Sequence, residues 1–157
     1  MKKISVLVTS IFLSLIINAQ VYKGNTNNIS PEEKLNELYC SGLFKTTEGS
    51  ILEVASNLSV KGYLNILDWL QGRVAGLQVY TSRMGVSIPV IRGSVPGIYV
   101  DEMPVPMSYL EMLNVNDIAI VKVIKTPFYG GFNGGGGAIA IYTLGGEEEE
   151  EGEESSR

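Results

Sequence analysis

The hydrophobic pattern is strongest between residues 118 and 124, which read Ile-Ala-Ile-Val-Lys-Val-Ile and are apolar at every position but one. Neighbouring side chains of a strand point to opposite faces, so this segment predicts two apolar faces. One face is expected to carry Ile118, Ile120 and Ile124, and the other Ala119, Val121 and Val123. A strand that is apolar on both faces belongs in the middle of a sheet that is covered on both sides.

Shorter apolar runs predict further strands around this one. They cover residues 51–54, 77–81, 88–92, 98–100 and 138–143. The run at 77–81 alternates between apolar and polar residues, as a half-buried strand does. Pro89 cannot donate to a ladder, which predicts an edge or an end for its strand. Pro104 and Pro106 are expected to end the strand that begins at Ile98.

Helical patterns alternate with these strands. Ser30-Pro31-Glu32-Glu33 places serine at the N-cap, proline at the first helical position and glutamate at the third, which predicts a helix running to about Tyr39. Residues 108–113 predict one or two further turns. A stripe of apolar residues at helical spacing predicts another helix over residues 63–73; it consists of Tyr63, Leu67, Leu70 and Val74. The alternation predicts a small α+β (mixed α/β) domain with a 4–6-stranded mixed sheet and short helices.

The first twenty residues have the layout of a secretory signal peptide. Lys2 and Lys3 precede an apolar run from Ile4 to Ile17, and a small residue, Ala19, offers a cleavage site. This run is shorter than the roughly 20 residues that span a bilayer. We therefore expect residues 1–19 to be removed, and the exported protein to act on the periplasmic side of the outer membrane without spanning it.

Charge is concentrated near the C-terminal end. Without the signal peptide there are 10 basic and 17 acidic residues, and seven of the acids lie between Glu147 and Glu154. Such a run is normally solvated, so residues 145–157 are predicted to form a disordered acidic tail, with a weak calcium site or a docking role as alternatives. The rest of the chain is nearly neutral, which argues against nucleic acid as a partner.

The residue types present argue against catalysis and metal binding. There is no histidine, which excludes the Ser-His-Asp and Cys-His arrangements and the common zinc sites. Cys40 is expected to be a buried apolar residue, and Asp101 and Glu102 a turn acceptor and a solvated charge. The glycines of residues 130–137 lead into a strand and lack the lysine of a phosphate loop, so they are expected to allow a tight bend. We predict no enzyme activity, cofactor or metal.

A series of motifs between residues 64 and 143 resembles the plug domain of TonB-dependent outer-membrane transporters. The series begins with Leu70-Gln71-Gly72-Arg73-Val74-Ala75-Gly76-Leu77, which is similar to the plugs of glycan-uptake receptors in particular. The order and spacing of the motifs carry the resemblance, since no single one is specific. The others are Ile91-Arg92-Gly93, Ile98-Tyr99-Val100-Asp101, Asp117-Ile118, Val121-Lys122-Val123-Ile124-Lys125, Tyr129-Gly130 and Gly136-Gly137-Ala138-Ile139.

The chain departs from the family pattern in several respects. Glu102 stands where a glycine usually follows the aspartate, and Thr126-Pro127 follows Lys125 in place of the usual Gly-Pro. No convincing TonB-contact box precedes the motifs, which leaves the use of TonB energy open. The sequence also stops at Arg157, where a transporter would continue into its barrel.

The resemblance implies which residues meet the inner wall of a barrel. In the family, the arginine of the Ile-Arg-Gly motif lies against carboxylates of that wall, which makes Arg92 the first candidate and Arg73 a weaker one. The other signature positions are Gly93, Asp101, Asp117, Lys122, Lys125, Tyr129, Gly130, Gly136 and Gly137. The expected organisation is a signal peptide at 1–19, an extension with a short helix at 20–60, a plug-like domain at 61–144 and the acidic tail at 145–157.

These observations lead to a functional hypothesis. The protein is expected to be a plug that occludes the lumen of a separate outer-membrane β-barrel, either a plug-less transporter or a protein-export translocon such as that of type IX secretion. One alternative is the remnant of a truncated transporter. Another is a periplasmic module that binds a glycan or a siderophore by stacking on aromatic residues, namely Tyr99, Tyr109, Phe128 and Tyr129.

Overall fold

A computed structural model describes residues 29–130 and 134–147 of the chain. The predicted signal peptide and most of the predicted acidic tail therefore lie outside the described residues. The α-helices are α1 (Pro31–Tyr39), α2 (Gly42–Thr46) and α3 (Ile66–Leu70). The strands are β1 (Ser50–Glu53), β2 (Leu77–Thr81), β3 (Ser87–Ile91), β4 (Gly97–Val100), β5 (Met103–Pro104), β6 (Ile118–Ile124) and β7 (Ala138–Thr143). Within the described ranges no helix is long and apolar enough to cross a membrane.

The strands form a five-stranded mixed sheet and a separate hairpin. The order in the large sheet is β1-β6-β7-β4-β5, in which β4 runs parallel to β7 and the other neighbours are antiparallel. The hairpin consists of β2 and β3. Strand β6 lies inside the sheet and all seven of its residues are buried. These features confirm the predicted α+β class and the position of the most apolar segment.

Each face of the large sheet is covered by its own apolar core. The first core packs α3 and the hairpin against one face and includes Trp69, Leu70 and Ile139. The second packs α1 and α2 against the other face and includes Phe44, Tyr99 and Phe128. A sheet that is buried on both sides explains why β6 and β7 lack the polar alternation of a half-exposed strand.

A register shift between Ile118 and Ile120 changes the faces of β6. The backbone amides of Val54 and Ala55 both donate to the Ala119 carbonyl, as at a β-bulge. Ile118 consequently joins the first core, and Ala119 joins the second. The strict alternation predicted from the sequence is therefore wrong for these two residues, because it assumed an unbroken pleat.

The first helix begins as predicted and the helix predicted over residues 63–73 is shorter than expected. Ser30 caps α1 by accepting a hydrogen bond from the Glu33 amide at 3.1 Å. Asn65 starts α3 by accepting from the Leu67 amide at 2.9 Å, and Gly72 follows the helix with a φ of 79°. Tyr63 instead ends a 3-10 helix, Leu58–Gly62, and is 37% exposed. An asparagine cap inside the apolar stripe therefore divides the predicted helix.

Candidate functional site

Residues 30–49 form a cap over the second face of the sheet, and this cap is the first feature of the site. Within it, α1 and α2 are short helices that bury few side chains of their own. Phe44 is the exception: its ring centroid lies 4.7 Å from that of Phe128 and 5.0 Å from that of Tyr99. These distances are typical of favourable aromatic pairs. Phe44 thus fixes the cap to an aromatic pocket on the sheet.

Lys122 anchors the cap from the centre of the sheet. Its Nζ donates to the side-chain oxygen of Asn36 at 2.6 Å and to the carbonyl of Phe44 at 2.5 Å. The side chain is only 2% exposed, and burial lowers the pKa of the Lys122 ammonium. Gly49 packs directly on its aliphatic stem, where a side chain would have no room. A signature position that the resemblance assigns to barrel contact is therefore buried inside the domain.

The turn between β4 and β5 holds the other side of the cap. Asp101 and Glu102 both have positive φ values, 46° and 65°, which cost energy for residues with a side chain. Asp101 accepts from the amide and hydroxyl of Thr143 at 2.8 and 2.9 Å, which fits its predicted role as a turn acceptor. Glu102 accepts from the amide of Ser41 at 2.6 Å, from the Ser41 hydroxyl, and from the Tyr142 hydroxyl at 3.1 Å. The prediction that Glu102 is a solvated charge is wrong.

A thiol and two phenols are buried beneath the cap. Cys40 is 4% exposed, as predicted for a small apolar residue, and Tyr99 and Tyr142 are 1% and 4% exposed. Burial raises the pKa of each of these groups above its ordinary value of 9.0 for the thiol and 10.0 for the phenols. Within the described residues, the Tyr99 hydroxyl is a buried polar atom that lacks a hydrogen-bond partner.

We expect the domain to lose stability in alkaline solution. Because the pKa of each of these groups is higher in the folded state, the unfolded state loses its proton first as the pH rises. The contribution of these groups to the free energy of unfolding is therefore complete below pH 9 to 10 and declines above it. Urea unfolding between about pH 8 and about pH 12 measures this decline. Tyr142→Phe removes one of the titrating groups and is expected to make the slope shallower by about 1.4 kcal/mol per pH unit. An unchanged slope in this variant would contradict the assignment, and Tyr63→Phe, at an exposed phenol, serves as the control.

The glycines before β7 provide close backbone contacts. A side chain on Gly136 would collide with the carbonyl of Val95, and one on Gly137, whose φ is 83°, with the carbonyl of Ile124. Gly135 has open space around it. This supports the predicted bend, although residues 131–133 of the glycine-rich loop lie outside the described residues. The contacts place the start of β7 between β4 and β6.

Several signature residues lie on the surface. Arg92 is exposed, has a φ of 51°, and its guanidinium makes no hydrogen bond or ion pair within the described ranges. Asp117 is exposed, Lys125 is half-buried and Tyr129 is 84% exposed. Lys122, in contrast, is 2% exposed and does not share this surface. The contact of the whole set with a barrel stays a prediction.

Arg73 is held in place by aromatic rings. Its guanidinium carbon lies 4.8 Å from the ring centroid of Trp69 and 5.6 Å from that of Tyr63, within the range of cation–π attraction. It also donates to the Trp69 carbonyl at 2.5 Å and weakly to the Ser59 hydroxyl at 3.4 Å. Arg73 therefore covers the buried Trp69 ring, a role that the sequence pattern did not indicate.

The aromatic residues do not support the sugar-stacking alternative as a set. Tyr99 and Phe128 are 1% and 2% exposed and belong to the second core. Tyr109 and Tyr129 are 41% and 84% exposed. Half of the residues named for that alternative are therefore unable to meet a ligand in this structure.

Comparison with known proteins identifies the domain type. Residues 48–138 match the family described as TonB-dependent Receptor Plug Domain. The chain is similar to the structure of the RagAB peptide importer in its closed-closed state, with 31% identity over 62% of this chain and 12% of that chain, and a TM-score of 0.50. The open-open state of the same importer gives 33% identity, with the same coverage and TM-score.

A more distant similarity supports the fold alone. The siderophore receptor PirA from Acinetobacter baumannii is 21% identical over 60% of this chain and 17% of that chain, with a TM-score of 0.50. The curated proteins contain no match. The family match covers more than half of the residues and includes six strands of the two sheets, β1 to β6, in full, together with the first residue of β7. The chain therefore belongs to the TonB-dependent receptor plug domain family.

Proposed function

We propose that this domain occludes the lumen of an outer-membrane β-barrel that is a separate polypeptide, and thereby gates passage through it. Wide barrels enclose water unless something fills them, so a compact polar domain suits that role. Family membership supports the role of plug. The proposal that the barrel is a separate polypeptide rests on the cap. Residues before the family match close the second face of the sheet.

The cap matters because it closes the second core without help from a barrel wall. Phe44, Cys40 and the residues they cover are each less than 10% exposed. A domain that completes its own cores is able to exist free in the periplasm and to enter or leave a barrel as a unit. The host barrel is proposed to be a plug-less transporter or a protein-export translocon such as that of type IX secretion.

The predicted export signal supports a location on the periplasmic side of the outer membrane, and the similarity to RagAB supports a peptide cargo for the host barrel. The structure to which the chain is 31% identical is that of a peptide importer. We extend this to a host barrel that passes peptides or unfolded protein, with the domain on the periplasmic side of the outer membrane. The domain acts here by filling space and forming contacts, with no catalytic step.

Co-purification from outer membranes in mild detergent tests the proposal. The tagged protein is expected to return with one abundant β-barrel protein, identified by mass spectrometry, and deletion of the gene is expected to make the outer membrane more permeable to large antibiotics. Recovery of only free protein, together with unchanged permeability, would favour the transporter remnant instead.

Arg92 offers a sharper test of barrel contact. Replacing it by glycine relieves the positive φ, so Arg92→Gly is expected to stabilise the isolated domain by up to about 1 kcal/mol. The same change removes a charged side chain without a partner in the described residues, and the yield of co-purified barrel is expected to fall at least about tenfold. Arg83→Gly is the matched control at another exposed arginine and should keep the barrel. Equal barrel recovery with both variants would refute the role of Arg92.

A further inference from the structure

The register of the β2–β3 hairpin determines which backbone groups of β2 point toward β3 and which point outward. Outside the two strands, the Ser82 amide donates to the Val86 carbonyl at 2.9 Å, and the Arg92 amide to the Gly76 carbonyl at 3.5 Å. Antiparallel pairs alternate between hydrogen-bonded and non-hydrogen-bonded. The register therefore makes Gln78 and Tyr80 the bonded residues of β2. Pro89, which has no amide hydrogen, faces Val79 in a non-bonded pair, as this pattern requires.

The outer edge of β3 has no free donor. The Ser87 amide donates to the Glu111 carboxylate at 3.3 Å, and the Ile91 amide donates to the Ser94 carbonyl at 2.8 Å. Between them stands Pro89, which has no amide hydrogen. All three residues are buried. This edge of the hairpin is therefore closed to any further strand.

The outer edge of β2 is open. The alternation directs the amides and carbonyls of Val79 and Thr81, and the carbonyl of Leu77, away from β3. None of them pairs with another strand in the described part of the chain, because the hairpin is a sheet of its own. The Leu77 amide alone is used, since it donates to the Val74 carbonyl at 3.1 Å. A row of unpaired backbone groups of this kind is a template for another strand.

The other strand edges carry the features that proteins use to prevent such pairing. Strand β1 at one edge of the large sheet is four residues long and ends in an exposed glutamate, Glu53. Strand β5 at the opposite edge has two residues, one of which is Pro104. Strand β2 has five residues, Leu-Gln-Val-Tyr-Thr, without a charge or a proline. Among the strand edges of the described residues, the outer edge of β2 is the one that lacks these protections.

We propose that the edge of β2 binds an extended, uncharged peptide segment of another polypeptide by strand addition. The amides of Val79 and Thr81 donate to the peptide, and the carbonyls of Leu77 and Val79 accept from it. Every second side chain of the peptide then lies beside the exposed Gln78 and Tyr80, of which Tyr80 is 54% exposed. The absence of charge on β2 matches an uncharged peptide, since a charged one would lose solvation without gaining a partner.

A second copy of this chain fits the edge less well than a peptide. Two β2 strands that pair about a two-fold axis at Val79 would place the Thr81 carbonyl of one copy opposite the Leu77 amide of the other. That amide already donates to Val74. The two-fold dimer loses this hydrogen bond at both ends of the pairing, whereas a single bound peptide loses it once. This proposal does not depend on whether the host barrel is a separate chain.

Amide hydrogen exchange of the purified full chain tests the proposal. The probe is a short acetylated and amidated peptide of alternating threonine and valine, which carries no charge. It is expected to slow exchange at Val79 and Thr81 at least about tenfold. Gln78 and Tyr80 should not respond, because their amides already donate to β3. A peptide of the same length with proline at alternate positions lacks the donors and is expected to have no effect.

A pair of substitutions separates backbone pairing from side-chain contact. Thr81→Pro removes the outward amide and leaves the β2–β3 ladder intact, so the peptide is expected to lose at least about tenfold in affinity. Thr81→Ala removes the side chain, keeps the amide and should bind as the parent does. An equal loss in both variants, or the absence of slowing with the parent chain, would overturn the proposal.

The alternative occupants give distinct results that would also overturn it. If a second copy fills the edge, exchange at Val79 slows as the protein is concentrated, and sedimentation shows a dimer. If residues 20–29 of the same chain fill it, these amides are slow before any peptide is added and become fast when that segment is deleted. Monomeric protein with fast amides that slow on adding the uncharged peptide supports the proposal.

Discussion

Replacement of Gly137 by alanine is expected to destabilise the domain by at least about 3 kcal/mol. Two costs combine at this position. The backbone has a φ of 83°, which disfavours any side chain, and the added carbon would collide with the carbonyl of Ile124. Backbone atoms of a central strand cannot move aside as a flexible side chain does, so β7 must shift away from β6. Urea or thermal unfolding followed by circular dichroism measures the loss.

Gly135→Ala is the matched control for this experiment. Gly135 lies in the same glycine run, two residues earlier, and has no atom within reach of an added side chain. Its replacement is expected to change the free energy of unfolding by less than about 0.5 kcal/mol. If the two variants are equally stable, the close approach of β7 to β6 is incorrect.

Replacement of Lys122 by alanine is expected to cost about 3 to 5 kcal/mol. The change leaves a cavity and removes the donor for the Asn36 side chain and the Phe44 carbonyl. Lys122→Met retains most of the volume and no longer buries an ammonium, so its cost is expected to be only about 1 to 2 kcal/mol. The free energy of unfolding in urea measures both.

Hydrogen exchange locates the effect of these variants. Since Lys122 bonds to the cap, the amides of residues 30–49 are expected to lose more protection than those of α3, on the opposite face of the sheet. Lys125→Ala, at a half-buried lysine beyond the end of the same strand, is the control and should be nearly neutral. A methionine variant as unstable as the alanine variant would mean that the charge itself, and not the filled volume, stabilises the cap.

The sheet was largely predictable from the sequence because its strands are determined by local pattern. Residues 118–124 are apolar on both faces, and only an inner strand buries both. Ser30 and Pro31 likewise define a helix start by local chemistry. The exceptions arose where a single residue interrupts a pattern, as Asn65 does by capping a helix inside a longer apolar stripe.

The polar contacts of the cap were not predictable, because they join distant parts of the chain. Lys122 and Asn36 are 86 residues apart, and Glu102 and Ser41 are 61 residues apart. A single sequence contains no signal for such pairs. Glu102 in particular follows a strand at a turn and has the pattern of a solvated charge. Its hydrogen bonds to Ser41 and Tyr142 depend on the positive φ of the turn, which no local pattern indicated.

The cap and the strands that it covers are far apart in the sequence, and this separation affects how the protein folds. Phe44 and Asn36 are among the first residues of the described chain to be synthesised, whereas Tyr142 on β7 is among the last. Contacts of such long sequence separation form slowly. Under the export that the first residues of the chain predict, the aromatic pocket beneath the cap has no complete floor until β7 has left the export channel. We therefore expect the newly exported chain to present Phe44 to the periplasm for a time, and to depend on a holding chaperone during that interval.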